Sequence, residues 1–168
     1  MEPFTELLMR LRATVLFFLL VLWSGALAPG AEPILSEFMA NNARILVDED
    51  GQFPDWIKVH NPDTAPVNLA GYFLTDDPLL LAKWGFPSVS LPAGGYLVVF
   101  ASGKNRTNDP AHLHASFRLD ATGGFLALVK PDGSTVASAY AYPSVKEDVS
   151  FGLAQSVIVT SLLASSVP

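Results

Sequence analysis

The chain has 168 residues, half of them apolar and 15% charged, with a net charge of −6, 13 prolines, 12 glycines and no cysteine. That length suits one domain with a real hydrophobic core and is short for two. The acidic balance argues against nucleic acid as a partner, because phosphate binding depends on Lys and Arg, and the lack of cysteine excludes a disulfide framework and a thiolate-held zinc.

At the N-terminus Arg10 and Arg12 precede an apolar run from Ala13 to Trp23, and small residues follow at Gly25, Ala26 and Ala28. This order of charged, apolar and small-residue segments predicts a secretory signal peptide over residues 1–30, cut after Ala28 or Gly30. The apolar run is about a dozen residues, short of the ~20 that a spanning helix needs, so no stable membrane span is expected after cleavage. The expected location is secreted, periplasmic or at the cell envelope. A folded body is expected over residues 31–152 and a C-terminal tail over 153–168.

Ile34–Met39 reads as a first strand, and Asp48-Glu49-Asp50-Gly51 as an acidic turn. Asp55–His60 alternates in the manner of a half-buried strand, with Ile57 and Val59 on one face and Trp56, Lys58 and His60 on the other. Asn61-Pro62-Asp63 ends it, since proline lacks an N–H and its neighbours favour turns. Val67 and Leu69, then Tyr72 and Leu74, resume the alternation around Gly71, up to a turn at Asp76-Asp77. Trp84 and Phe86 mark another strand, and Leu91-Pro92-Ala93-Gly94-Gly95 a tight turn. Tyr96–Ala101, apolar on both faces, is expected to be the most buried strand. After a polar loop, Ser102–Asn108, strands are expected at Phe117 and Leu119, at Phe125–Val129, and from Val136 to Ala141. Pro131-Asp132-Gly133 is a hairpin signal between the last two. Roughly eight or nine short strands, with no sustained helical period, argue for an all-β sandwich.

Several residues invite a chemical reading. His112 and His114 are two apart, so on a strand both imidazoles would face one ion, with Asp109 or His60 as a third ligand. The clustered carboxylates of Asp48-Glu49-Asp50-Gly51, with Asp48 and Asp50 as candidate ligands, suit a hard cation but miss the full calcium-loop pattern. The plainer readings are solvent-facing loop histidines and a solvated turn. No Gly-x-Ser-x-Gly elbow is present, and Ser102 in Ala-Ser-Gly-Lys lacks phosphate-loop spacing. Trp56 and Trp84 fit core packing better than a sugar platform. Asn105-Arg106-Thr107 matches a glycosylation sequon.

The stretch DWIKVHNPDTAPVNLAGYFLTDD, Asp55–Asp77, resembles the signature of the lamin-tail domain. The resemblance continues in order through Lys83–Pro87, Leu91–Lys104, Leu113–Leu119, Gly124–Leu128, Pro131-Asp132-Gly133 and Asp148–Gly152. It implies an immunoglobulin-like β-sandwich from Ile34 to Gly152. Where relatives carry an arginine after the Ser-Phe-Gly motif, this chain has Leu153. The implied role is a non-catalytic, cofactor-free binding or assembly module, its partner a protein or an envelope component. The alternatives are a divalent-metal hydrolase built on His112 and His114, and a carbohydrate-binding module built on Trp56 or Trp84.

Overall fold

A computed structural model describes residues 30–152 of the chain. The expected signal peptide, save Gly30, and the expected tail lie outside the described residues. Eleven strands follow in chain order: β1 (Ile34–Met39), β2 (Asp55–His60), β3 (Val67–Asn68), β4 (Phe73–Thr75), β5 (Trp84–Gly85), β6 (Ser90–Leu91), β7 (Tyr96–Ala101), β8 (Leu113–His114), β9 (Gly123–Val129), β10 (Val136–Pro143) and β11 (Phe151–Gly152). They form a five-stranded sheet, β11-β1-β2-β7-β8, a four-stranded sheet, β10-β9-β4-β5, and the small ribbon β3-β6. All pairings are antiparallel except that of β7 with β8. No helix long and apolar enough to cross a membrane occurs among the described residues.

The core lies where the inner faces of the two sheets meet. Leu35 from β1, Ile57 and Val59 from β2, and Val99 from β7 share one apolar cluster with Leu74 from β4 and Leu126 and Leu128 from β9, all fully buried. Period-two alternation puts Ile57 and Val59 on this face, as their spacing predicts. A smaller cluster sits on the outer face of the five-stranded sheet, where Met39, Trp56 and Phe100 pack beneath Leu46. The loop from Asn41 to Pro54 therefore shields one end of that face. At the other end Tyr96 is 59% exposed. Thus β7 is only half buried, contrary to the expectation for Tyr96–Ala101, and Leu126–Val129 of β9 are the more deeply buried run.

One further expectation needs correction. Phe117 and Leu119 are buried in the core, but their segment joins no strand beyond an isolated bridge between Ser102 and Arg118. The strand in that region is Leu113–His114 instead. The hairpin at Pro131-Asp132-Gly133 forms as read: Gly133 N–H donates to Lys130 O, and Gly133 takes a φ of 70°.

The first and last strands meet. Phe38 on β1 stacks at tilted angles on Tyr142 (4.8 Å), Tyr140 (5.4 Å) and Phe151 (5.6 Å). Gly152 opposes Glu37, and a Cβ there would fall 2.4 Å from Ser36 O, so only glycine lets β11 lie against β1. Asp148 ties the approach to this seam. It adopts a φ of 59°, and its carboxylate accepts from Ala43 N–H (2.8 Å) and Arg44 Nε (2.6 Å).

Candidate functional site

The loop over Asn41–Pro54 is built by two buried polar side chains. Asn42 Nδ2 donates to Leu46 O and Pro54 O, both at 2.7 Å, while its Oδ1 accepts from Ile45 and Leu46 N–H. Asp48 Oδ1 accepts from Asp50 N–H (3.0 Å) and Gln52 N–H (2.8 Å), closing the turn at Gly51. Short side-chain acceptors satisfy loop backbone donors in this way, which gives an otherwise irregular segment a defined shape. The shape carries Glu49 to His114.

His114 is fully buried and stacks on Phe100 with ring centroids 5.2 Å apart. Its Nδ1 lies 2.8 Å from Ser102 Oγ, and its Nε2 lies 2.9 Å from Glu49 Oε1. With the proton on Nε2, one chain of donors runs through the site. Lys104 N–H donates to Ser102 Oγ, Ser102 donates to His114 Nδ1, and His114 Nε2–H donates to the Glu49 carboxylate. The order of serine, histidine and carboxylate is that of a hydrolytic triad. Here, however, Ser102 is 4% exposed and its oxygen is already held on both sides. The network locks the acidic loop onto the strands.

Asp48, Glu49 and His114 also present ligand atoms within 4.8 Å of one another. Two cations already occupy the carboxylates. Lys104 Nζ bonds Asp48 and, at 2.6 Å, Asp50, while Arg106 reaches Glu49 at 2.7 Å and Asp50 at 2.8 Å. Three acids against two fixed cations make an internal ion-pair network; a divalent ion would have to displace them.

Of the sequence candidates, Asp48, Asp50 and His114 are brought into this one cluster, while His112, Asp109 and His60 stand apart from it. His112 lies before β8, 46% exposed, and pairs with Asp109 at 2.8 Å, while His114 turns inward. The two imidazoles do not converge, because the strand begins only at Leu113. His60 stacks on Tyr96 at 4.3 Å, at the opposite end of β2 from Trp56. Asp48 and Asp50 belong to the ion-pair network rather than to an open cation loop. Trp56 and Trp84 are 6% and 3% exposed, so neither indole offers a sugar platform. Lys104 and Arg106 complete the cluster with Glu49 of the acidic turn; the signal in the sequence is a basic pair two residues apart matching an acidic run.

The network sets a pH response. Partial burial pushes the Glu49 carboxyl up, but hydrogen bonds from His114, its own backbone N–H and Arg106 outweigh this and hold it at about 2, against an ordinary 4.5. Below 4.5 the unfolded chain takes up the proton while the folded chain does not, so stability falls as pH falls. The contribution is complete above 4.5 and is lost on descending to about 2. Urea midpoints of the protein are expected to drop across that window, and those of Glu49→Gln to drop less. Equal slopes would remove Glu49 from the account.

Two surface features remain. A cleft of about 310 Å³ beside the network is lined by Phe53, Pro54, Asp55, Ser102 and Arg118, with Arg118 Nε donating to Ser102 O at 2.9 Å. The other feature is β10, an edge strand of the four-stranded sheet. Its sequence, Val-Ala-Ser-Ala-Tyr-Ala-Tyr-Pro, has no charged residue. Ser138 Oγ accepts from Leu35 N–H and Tyr140 O–H donates to Leu35 O, so these side chains point inward while Ala139 and Ala141 are exposed.

The family profile of the lamin tail domain matches residues 28–144, which is more than half of the chain. The chain belongs to the lamin tail domain family. No curated protein matches it. The lamin tail domain is an immunoglobulin-like, non-enzymatic β-sandwich family, in agreement with the two packed sheets found here. In this lamin tail domain the sandwich closes beyond the matched span, with β11 at Phe151–Gly152.

Proposed function

We propose that this lamin tail domain is a non-catalytic protein-binding or assembly module, working outside the cytoplasm or at the cell envelope, that takes its partner on the edge of β10. The observation that carries the reading is an eight-residue edge strand free of charge. Edge strands present unpaired backbone groups, and proteins that avoid docking there place lysines along them. Here the guards sit only at the ends, as a register shift between Val136 and Ser138 and as Pro143. A partner strand added to such an edge gains main-chain hydrogen bonds and reads the alternate side chains. The location rests on the leader-like order of residues 1–30.

The test is retention of envelope proteins from the source cells by the immobilised domain. Ala139→Lys/Ala141→Lys places two charges on the exposed side of the edge without altering its inward contacts. Partner retention is expected to fall at least tenfold while the circular dichroism spectrum and urea midpoint stay unchanged. Retention equal to that of the unmodified domain would exclude β10 as the docking edge.

A further inference from the structure

The acidic loop and one end of the five-stranded sheet flank the cleft of about 310 Å³, and they bring to it one charge of each sign. Asp55 opposes Ala101 where β2 begins and β7 ends, and the bridge between Ser102 and Arg118 lies just beyond. Gln52, Phe53 and Pro54 supply the facing wall. We propose that this cleft binds a free α-amino acid as its zwitterion, with the carboxylate on the Arg118 guanidinium and the ammonium on the Asp55 carboxylate. The proposal is independent of the β10 edge, which belongs to the other sheet.

Three observations select this ligand chemistry. First, neither charge has a counter-ion. Among the described residues Arg44 and Arg106 each pair with carboxylates, whereas Arg118 pairs with none and Asp55 has no basic partner. Arg118 Nε donates to Ser102 O at 2.9 Å, which fixes the guanidinium while its two terminal nitrogens find no acceptor among the described residues. Such a fork matches a carboxylate. Asp55 accepts from the backbone N–H groups of Asn42, at 3.3 Å, and Leu119, and burial pushes its carboxyl up, so a cation beside it is favoured. Second, the pair of charges disfavours simpler ligands. An anion at Arg118 meets Asp55, and a cation at Asp55 meets Arg118; a ligand bearing both signs is opposed by neither. Third, the volume lies at the small end of the roughly 300–1,000 Å³ of ligand pockets, room for one amino acid, and Phe53, 42% exposed, offers its side chain an apolar wall. Both charges are held in advance. Ser102, which holds Arg118, is bonded to His114, and Asn42, which holds Asp55, is bonded to Leu46 and Pro54. The network that locks the acidic loop therefore also positions the cleft, and preorganisation of this kind favours binding.

Titration of the isotopically labelled full chain with each standard amino acid, followed by backbone amide shifts, tests this directly. The amides of Phe53, Asp55, Ser102 and Arg118 are expected to move and saturate with an amino acid bearing an apolar side chain. Its N-acetyl derivative lacks the ammonium and its amide lacks the carboxylate. Each is expected to bind at least about tenfold more weakly, the scale of one charged hydrogen bond. Arg118→Gln is expected to weaken binding of the free amino acid by the same factor. Asp55→Asn keeps an acceptor for Asn42 N–H but removes the charge, so the N-acetyl derivative is expected to bind this variant as well as the free amino acid does. That change of preference separates a ligand contact from a damaged cleft. No movement of these amides with any standard amino acid would overturn the proposal. So would derivatives that bind as tightly as the zwitterion, or binding that survives Arg118→Gln. None of these outcomes bears on β10, whose docking role is judged by the retention experiment alone.

Discussion

Phe38→Ala is expected to destabilise the domain by about 3–5 kcal/mol, the range for removing a fully buried aromatic side chain. Phe38 is 0% exposed and touches three other rings, drawn from β10 and β11. Its loss therefore opens a cavity where β10 and β11 both pack on β1. Tyr140 and Tyr142 hold β10 from the inside, so the substitution is expected to loosen that strand first. Urea denaturation gives the free energy, and hydrogen exchange of residues 136–143 locates it. A loss below about 1 kcal/mol, the scale of a minor surface change, would show that the ring cluster does not carry the seam.

His114→Ala is expected to cost about 2–4 kcal/mol, combining a buried cavity with two polar groups left short of a partner. Ser102 Oγ loses its acceptor and Glu49 keeps only its contact with Arg106 and its own backbone. His112→Ala, by contrast, removes an exposed side chain paired to an exposed aspartate and is expected to leave the urea midpoint unchanged. The contrast separates a structural lock from a metal pair. If both histidines were ligands, both substitutions would matter, and chelator would reproduce their effect on the unmodified protein. Equal losses from the two variants, or a loss on adding chelator alone, would return the metal reading.

Much of the sandwich was legible because its signals are local. Asp55–His60 declared its two faces by alternation, and Pro131-Asp132-Gly133 declared a hairpin by the backbone angles those residues adopt. The misreadings arose where burial is decided by a distant segment. Tyr96–Ala101 is apolar along its length, yet only one end of its outer face lies beneath the loop bearing Leu46, and no pattern within the strand says which end. Phe117 and Leu119 alternate like a strand, but they fill the core from an irregular segment. The site was less legible still. The period-two rule placed His112 beside His114 only on the assumption that both were in the strand. Glu49 and His114 meet across 65 residues of sequence, and Lys104 lies 56 residues from Asp48. The composition announces such charges; only the fold pairs them.

The adjacency of β1 and β11 also governs when the fold can close. Ser150 donates to Glu37 across 113 residues, and β1 lacks its outer neighbour until Phe151 is available. During synthesis the first strand can pair with β2 early, but its outer side waits for nearly the whole domain to leave the ribosome. Contacts this distant in sequence slow closure, because the loop entropy must be met before they form. A chain delivered in order thus completes its five-stranded sheet only once Phe151 and Gly152 are available, after the other pairings of the sandwich can already have formed.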